Sequence, residues 1–223
     1  MPSVSFIIPV LREQERIGDL LCELRSRYPR SELVVVDGGS DDATVNEAMR
    51  HCDQLLIGPA GRAAQMNLGG RVAQGDYLCF LHADSHPGFS EEALQVYLRR
   101  DPDWGFCRVR LSGDRWVFRV IEWFMNLRSR ITRIGTGDQM LFLRRELFLD
   151  SSGFDAIPLM EDVAYCKRLR RDAPPLVIRE AVTTSSRRWE ERGVLATVMR
   201  MWLLRLAYFL GVSPQRLAHY YAS

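Results

Sequence analysis

The stretch Cys79-Phe80-Leu81-His82-Ala83-Asp84-Ser85 decides the fold class. Its apolar half reads as a buried strand, and that strand delivers an acidic residue, flanked by potential metal ligands, into a loop. Upstream, Leu33-Val34-Val35-Val36 ends in the same way on Asp37 and runs into Gly38-Gly39-Ser40-Asp41-Asp42. Two strands that each release an Asp at their C-terminal ends predict an open α/β sheet, in which ligands bind in the crevice outside those ends. The ligand this arrangement predicts is a metal-bound nucleotide.

The flanking sequence supports the same architecture. Val4 to Val10 reads as a buried strand, and Ile17, Leu20, Leu21, Leu24 and Tyr28 recur at helical spacing until Pro29. Ser40 or Asp41 can cap a helix through about His51, Leu55-Leu56-Ile57 is a short strand, Arg62 to Ala73 is helical, and Tyr77 to Leu81 is the next strand. Such alternation predicts a parallel sheet with right-handed crossovers. After Pro87 the texture changes: a helix from Ser90 to Arg100, a half-exposed strand at Phe106–Leu111, and a helical apolar stripe of Trp116, Val117, Val120, Ile121, Phe124 and Leu127.

A chain of 223 residues, 47% hydrophobic, buries a substantial single core. The expected organisation is one α/β domain over residues 1–192 with a C-terminal helical segment over 193–223. The formal charge is only +2, and Lys167 is the single lysine among 30 basic residues. Arginine suits bidentate contact with phosphate or carboxylate, and a GC-rich genome produces the same bias. The local arginine excess between Arg99 and Arg145 comes with no recognition motif, so nucleic-acid binding is not expected. Five scattered cysteines without a C-x-x-C pair read as reduced core residues. The N-terminus lacks the features of a signal peptide, and the expected location is the cytoplasm.

Val4-Ser5-Phe6-Ile7-Ile8-Pro9-Val10, Val36-Asp37-Gly38-Gly39-Ser40-Asp41-Asp42-Ala43-Thr44, His82-Ala83-Asp84 and Glu161-Asp162 occur in an order that resembles the family-2 glycosyltransferases of the GT-A fold. Within that family, Leu81-His82-Ala83-Asp84 and Gly137-Asp138-Gln139 resemble the small bacterial group described as radical-SAM/selenodomain-associated transferases, some of them assigned to arsenosugar biosynthesis. The resemblance implies a single GT-A domain: an open, mostly parallel sheet flanked by helices, with a helical acceptor-side insertion and a C-terminal helix. It also implies an inverting, single-displacement enzyme that moves a sugar from a nucleoside-diphosphate donor, UDP first and GDP second. The acceptor is left open, either a small molecule or a lipid-linked one.

Several residue roles follow from that resemblance. A divalent cation, Mn²⁺ or Mg²⁺, neutralises charge developing on the diphosphate leaving group, with Asp84 as its ligand. The family's motif is usually Asp-x-Asp, so His82 in the first position is a departure. His82, Asp84 and His86 face one side if the strand continues, which makes His86 a secondary candidate ligand beside the plainer reading of a loop histidine before Pro87. Pro9, Leu11 and Glu13 match the segment lining the base and ribose pocket, and Asp37 matches the residue that bonds the nucleobase, though it also suits a turn. Ala83 belongs to the donor motif. Arg62 approaches the diphosphate from a helix N-terminus or simply faces solvent.

Transfer requires a carboxylate that takes the acceptor's proton. Asp162 is the candidate base and Glu161 its partner, although acids also favour a helix start for its dipole alone. Asp138 and Gln139 match the acceptor side of the sugar pocket. Arg188 and Trp189 resemble part of the Gln-x-x-Arg-Trp motif of processive relatives, without its Gln, and are candidate diphosphate or acceptor contacts.

Val198 to Leu210 is apolar but carries two arginines and is too short to span a bilayer comfortably. It packs on the sheet, joins two copies as a homodimer, or lies in a membrane interface beside the Trp116 helix. The rival readings are a nucleotidyltransferase of related fold, which lacks its Gly-rich basic loop after Val10, and a noncatalytic membrane-surface scaffold.

Overall fold

Strand β1 (Val4–Val10) is buried along its whole length, which is why its sequence is apolar throughout rather than alternating. Phe6, Ile8 and Val10 join the core on one face of the sheet, and Ile7 joins the core on the other. The computed structural model describes residues 1–222 apart from 188, 189, 191 and 192. After β1 come α1 (Ile17–Arg27), β2 (Glu32–Asp37), α2 (Thr44–Met49), β3 (Gln54–Ile57), α3 (Arg62–Val72) and β4 (Tyr77–Phe80). Ile17, Leu20, Leu21 and Leu24 are the buried stripe of α1. Gly69 lets α3 lie close on the sheet, since a Cβ there would stand 2.6 Å from Ile7 Cγ2.

The second half contributes β5 (Ser85–Pro87), α4 (Glu91–Leu98), β6 (Trp104–Leu111), α5 (Trp116–Thr132), a 3₁₀ turn (Gly137–Gln139), β7 (Leu141–Arg144), α6 (Arg145–Asp150), α7 (Glu161–Asp172), β8 (Leu176–Thr184), α8 (Val194–Phe209) and α9 (Pro214–Ala222). All strands form one sheet in the order β3-β2-β1-β4-β7-β6-β8-β5. The first four are parallel; β7 then pairs antiparallel with both β4 and β6, β6 and β8 are parallel, and β5 is antiparallel to β8.

Several details depart from the sequence expectations. Helix α2 begins at Thr44, because Ser40 is engaged by Asp37 and Arg12 and Asp42 Oδ1 accepts the Thr44 N–H at 3.0 Å. The half-exposed alternation of β6 holds only from Arg108 onward, since Trp104 to Cys107 are buried. The apolar stripe on α5 is only partly its buried face: Ile121 and Val117 pack inward with Phe118, while Trp116, Val120 and Phe124 are exposed. Helix α8 packs through Leu204 and leaves Trp202, Leu203, Leu206 and Leu210 exposed. Among the described residues no helix is long and apolar enough to cross a membrane.

Candidate active site

The sheet's topology delivers three segments to one cleft. Strand β4 lies between β1 and β7, and the chain leaving it turns at once, with the Ser85 N–H donating to His82 O at 3.1 Å. The Asp84 carbonyl accepts the Ser185 N–H at 3.2 Å, which ties this turn to the end of β8. The 3₁₀ turn and the start of α7 complete the wall. Arg62, His82, Asp84, Asp138, Glu161 and Asp162 all line this cleft of about 180 Å³.

Gly137 is the keystone. Its N–H donates to Asp162 Oδ2 at 2.8 Å, and its α-carbon faces the His82 ring so closely that a Cβ would stand 2.0 Å from Cε1. Asp162 Oδ1 accepts the Val163 N–H at 2.7 Å, so both carboxylate oxygens are oriented by backbone donors. Burial raises the Asp162 pKa, opposed by these two amide bonds and by the charges of Arg62 and Arg128. Glu161 is pushed up to about 7, first by burial and then by the neighbouring Asp162. The amide bonds favour the ionised form of Asp162 against the burial that raises both carboxyls. Met160, just before the pair, sits in the left-handed region at φ 70 and ψ 20, the kind of strained backbone that clusters at functional sites.

The first-strand segment forms an adjoining clasp. The Glu13 N–H donates to Thr44 Oγ1 at 2.8 Å, and the Arg12 N–H donates to Ser40 Oγ at 2.8 Å, joining the loops after β1 and β2. Pro9 is buried at the end of β1 and Leu11 is exposed. Asp37 is buried and accepts the Gly39 and Ser40 N–H groups, each at 2.8 Å, bonds that close the turn after β2. Arg16, held by Glu13 Oε2 at 2.8 Å, reaches from this clasp to the cleft wall. Ala83 is buried in the core beneath the turn.

Two candidates point elsewhere. The strand does not continue through His82 and Asp84, so the expected alternation fails: His86 begins a new pairing in β5 and its Nδ1 lies 2.6 Å from Glu23 Oε2, outside the cleft lining. Gln139 is buried, with Oε1 accepting from Ser129 Oγ at 2.7 Å and Nε2 donating to the Cys107 carbonyl at 3.2 Å; it anchors the 3₁₀ turn and does not face the sugar pocket. Arg188 and Trp189 lie outside the described residues. Sequence reading missed Arg16, for which no signal exists, and the proximity of Arg128, hidden in an arginine-rich run.

Among the described residues no group of three or more His, Cys, Asp and Glu side chains is arranged to hold a metal. The cleft instead presents Asp84 beside His82, whose Nδ1 is 3.9 Å from Asp138 Oδ1. One hard carboxylate fits a cation that takes its remaining oxygens from phosphates and water, as Mg²⁺ commonly does.

The chain is similar to known glycosyltransferases in sequence and in fold. The model of the family "Glycosyl transferase family 2" matches residues 5–154. An uncharacterised glycosyltransferase of Haemophilus influenzae is 27% identical over 198 residues, covering 81% of this chain and 67% of that protein. Among solved structures, S. aureus TarS 1-349 in complex with UDP superposes with a TM-score of 0.67 at 18% identity, over 82% of this chain and 60% of that one. The mannosyltransferase PcManGT from Pyrobaculum calidifontis in complex with GDP-Man and Mn²⁺ gives 0.64 at 21% identity, over 92% and 61%. This chain thus spans about three fifths of each of those solved chains. With the matched model covering β1 through α6 and the GT-A sheet shared with solved glycosyltransferases, the chain belongs to glycosyl transferase family 2.

Proposed function

We propose that the protein transfers a sugar from a nucleoside-diphosphate donor, UDP first and GDP second, by single displacement with inversion, in a reaction that depends on Mn²⁺ or Mg²⁺. The observation that carries the reading is Asp162, oriented by the Gly137 and Val163 amides in the same cleft as Asp84 and Arg62. A base opposite a diphosphate site is what inverting transfer requires.

The base and ribose lie against Pro9, Leu11, Glu13 and Asp37, where the two clasped loops meet. Arg62, at the first turn of α3, faces the diphosphate, with Ala83 fixing the turn that presents Asp84. Asp84 would hold a divalent cation, which would supply charge neutralisation at the leaving group. Asp162 takes the acceptor's proton as its oxygen bonds to the anomeric carbon and the carbon–phosphate oxygen bond breaks. Glu161 keeps its proton and orients the acceptor, and Asp138 holds sugar hydroxyls. Residues 1–192 form the catalytic unit and 193–223 a helical appendage, in a cytoplasmic protein. Leu81-His82-Ala83-Asp84 and Gly137-Asp138-Gln139 favour the radical-SAM/selenodomain-associated group.

The test is release of nucleoside diphosphate from UDP- and GDP-sugars with Mn²⁺, and the anomeric configuration of the first-formed product by NMR. A product of opposite configuration to the donor supports the mechanism; retention, or no turnover of any donor, removes it.

A further inference from the structure

Behind the catalytic cleft lies a second, larger cavity of about 380 Å³, between α5, α7 and α8. Its wall is apolar: Ile121, Phe124 and Ile131 from α5, Val163 from α7, and Trp202 and Phe209 from α8. The two spaces share a wall, because Met125, Met160, Met201 and Arg205 line both. Val163, whose N–H holds the Asp162 carboxylate, is itself part of the groove wall. A ligand in the groove would therefore lie against the residue whose N–H holds the candidate base.

The polar features of the groove are few and of one sign. Among the described residues its lining carries Arg128, Arg205, Thr132 and Tyr208 but no carboxylate. Arg128 Nε is buried with no hydrogen-bond partner among the described residues, an arrangement that calls for an explanation. Around the mouth the surface stays apolar. Phe124, Ile131, Trp202 and Phe209 are exposed groove residues, and Trp202 is 63% exposed. Leu203, Leu206 and Leu210 extend the exposed face along α8. Exposed aromatic and aliphatic patches of this kind mark interaction surfaces, and tryptophan with basic residues suits a membrane interface.

Resting on the glycosyltransferase reading, we propose that the acceptor is a membrane lipid with an anionic, hydroxyl-bearing head group. Its hydrocarbon chain lies in the groove between α5 and α8, and its head group is presented at Arg128 and Asp162. An exposed tryptophan beside an apolar wall whose charged groups are arginines suits a lipid with an anionic head group better than a second copy of this chain, so the lipid is the occupant. In the reaction, the head-group hydroxyl oxygen bonds to the anomeric carbon, its proton passes to Asp162, and the nucleoside diphosphate departs with the electrons of the broken bond.

The test has two arms on the full chain. Calorimetric titration with inorganic phosphate, butyl phosphate and octyl phosphate, below micelle formation, reads the groove. Affinity is expected to rise by roughly fourfold per methylene added, and to lose that dependence in Phe124→Asp and Trp202→Asp, with circular dichroism reporting the fold. Sedimentation with phosphatidylcholine vesicles, with and without phosphatidylglycerol, is expected to pull down wild type when phosphatidylglycerol is present and to leave both variants in solution. Should either aspartate variant unfold, Phe124→Ser and Trp202→Ser carry the same comparison. Equal affinity for butyl and octyl phosphate overturns the proposal, as does chain-length dependence untouched by the variants, or a dimer in solution that Trp202→Asp dissociates. Titration of wild type with UDP and Mn²⁺ separates the two levels: donor binding without chain-length dependence removes the lipid acceptor alone, whereas absence of donor binding removes the transferase reading and the acceptor with it.

Discussion

Replacing Gly137 by alanine perturbs the site through one methyl group. The new Cβ would stand 2.0 Å from His82 Cε1 and 2.4 Å from Nε2, distances at which the ring or the 3₁₀ turn must move. The turn also carries the amide that holds Asp162 Oδ2 at 2.8 Å, so movement loosens the candidate base. Overpacking of this kind costs about 1–3 kcal/mol, which for a domain of this size lowers Tm by roughly 2–12 °C. A misplacement near 1 Å costs activity about 10²-fold. The assay pairs a thermal melt with turnover, for Gly137→Ala, His82→Ala and the double variant. Removing the ring should restore a good part of the Tm lost to alanine, giving a coupling of about 0.5–3 kcal/mol in the double-mutant cycle. A wild-type melt for Gly137→Ala, or strictly additive effects, would refute the packing of Gly137 on His82.

Asp162→Asn should lower transfer by roughly 10²–10⁴ while preserving donor affinity, and Glu161→Gln should do less damage; near-normal turnover by Asp162→Asn moves the base elsewhere, with Asp138 the next carboxylate to test. His82→Asp should retain or strengthen use of Mn²⁺, because it adds a hard ligand; complete loss of donor binding contradicts that. Stability should depend on pH through Glu161, whose folded pKa of about 7 exceeds its ordinary value of 4.5. The native state then holds a proton that the unfolded chain releases, so this contribution is fully present below about 4.5 and is lost as pH rises through about 7. Melting in EDTA across that window should show a falling Tm whose slope lessens in Glu161→Gln, and an unchanged slope would assign the proton to another group.

The parallel half of the sheet was legible because its strands are buried on both faces and so are apolar throughout, as in Val4–Val10 and Leu33–Val36. The same pattern placed Asp37 at the C-terminal end of β2 and Asp84 just beyond that of β4, the two strands parallel to β1 on either side of it, and Asp84 lines the cleft. What stayed hidden depended on local geometry without a compositional mark. The tight turn at His82–Ser85 broke the alternation that made His86 a candidate ligand. Gln139 reads as a polar site residue, yet its amide is spent on buried donors and acceptors within the fold. Strand β8 runs on through Arg179 and Glu180, but its pairing with β6 shifts register there, so no simple alternation announced it. Nothing in the residue type of Met160 signals a left-handed backbone. The groove between α5 and α8 was unreadable because both helices carry apolar residues over much of their circumference, and only tertiary packing separates wall from exterior.

Metal-dependent donor binding tests the central claim most directly. Because Asp84 offers one carboxylate and the diphosphate must supply other oxygens, Mn²⁺ and donor should stabilise the protein together more than either does alone. With UDP or a UDP- or GDP-sugar at about 100 times its Kd, binding to the native state contributes about 2.7 kcal/mol, a rise in Tm of roughly 5–11 °C. The account predicts that shift for wild type with Mn²⁺, its reduction in EDTA, and no metal-dependent part in Asp84→Ala. A wild-type protein that melts at one temperature with and without every nucleotide and metal combination, or an Asp84→Ala variant that responds to Mn²⁺ as wild type does, would contradict it.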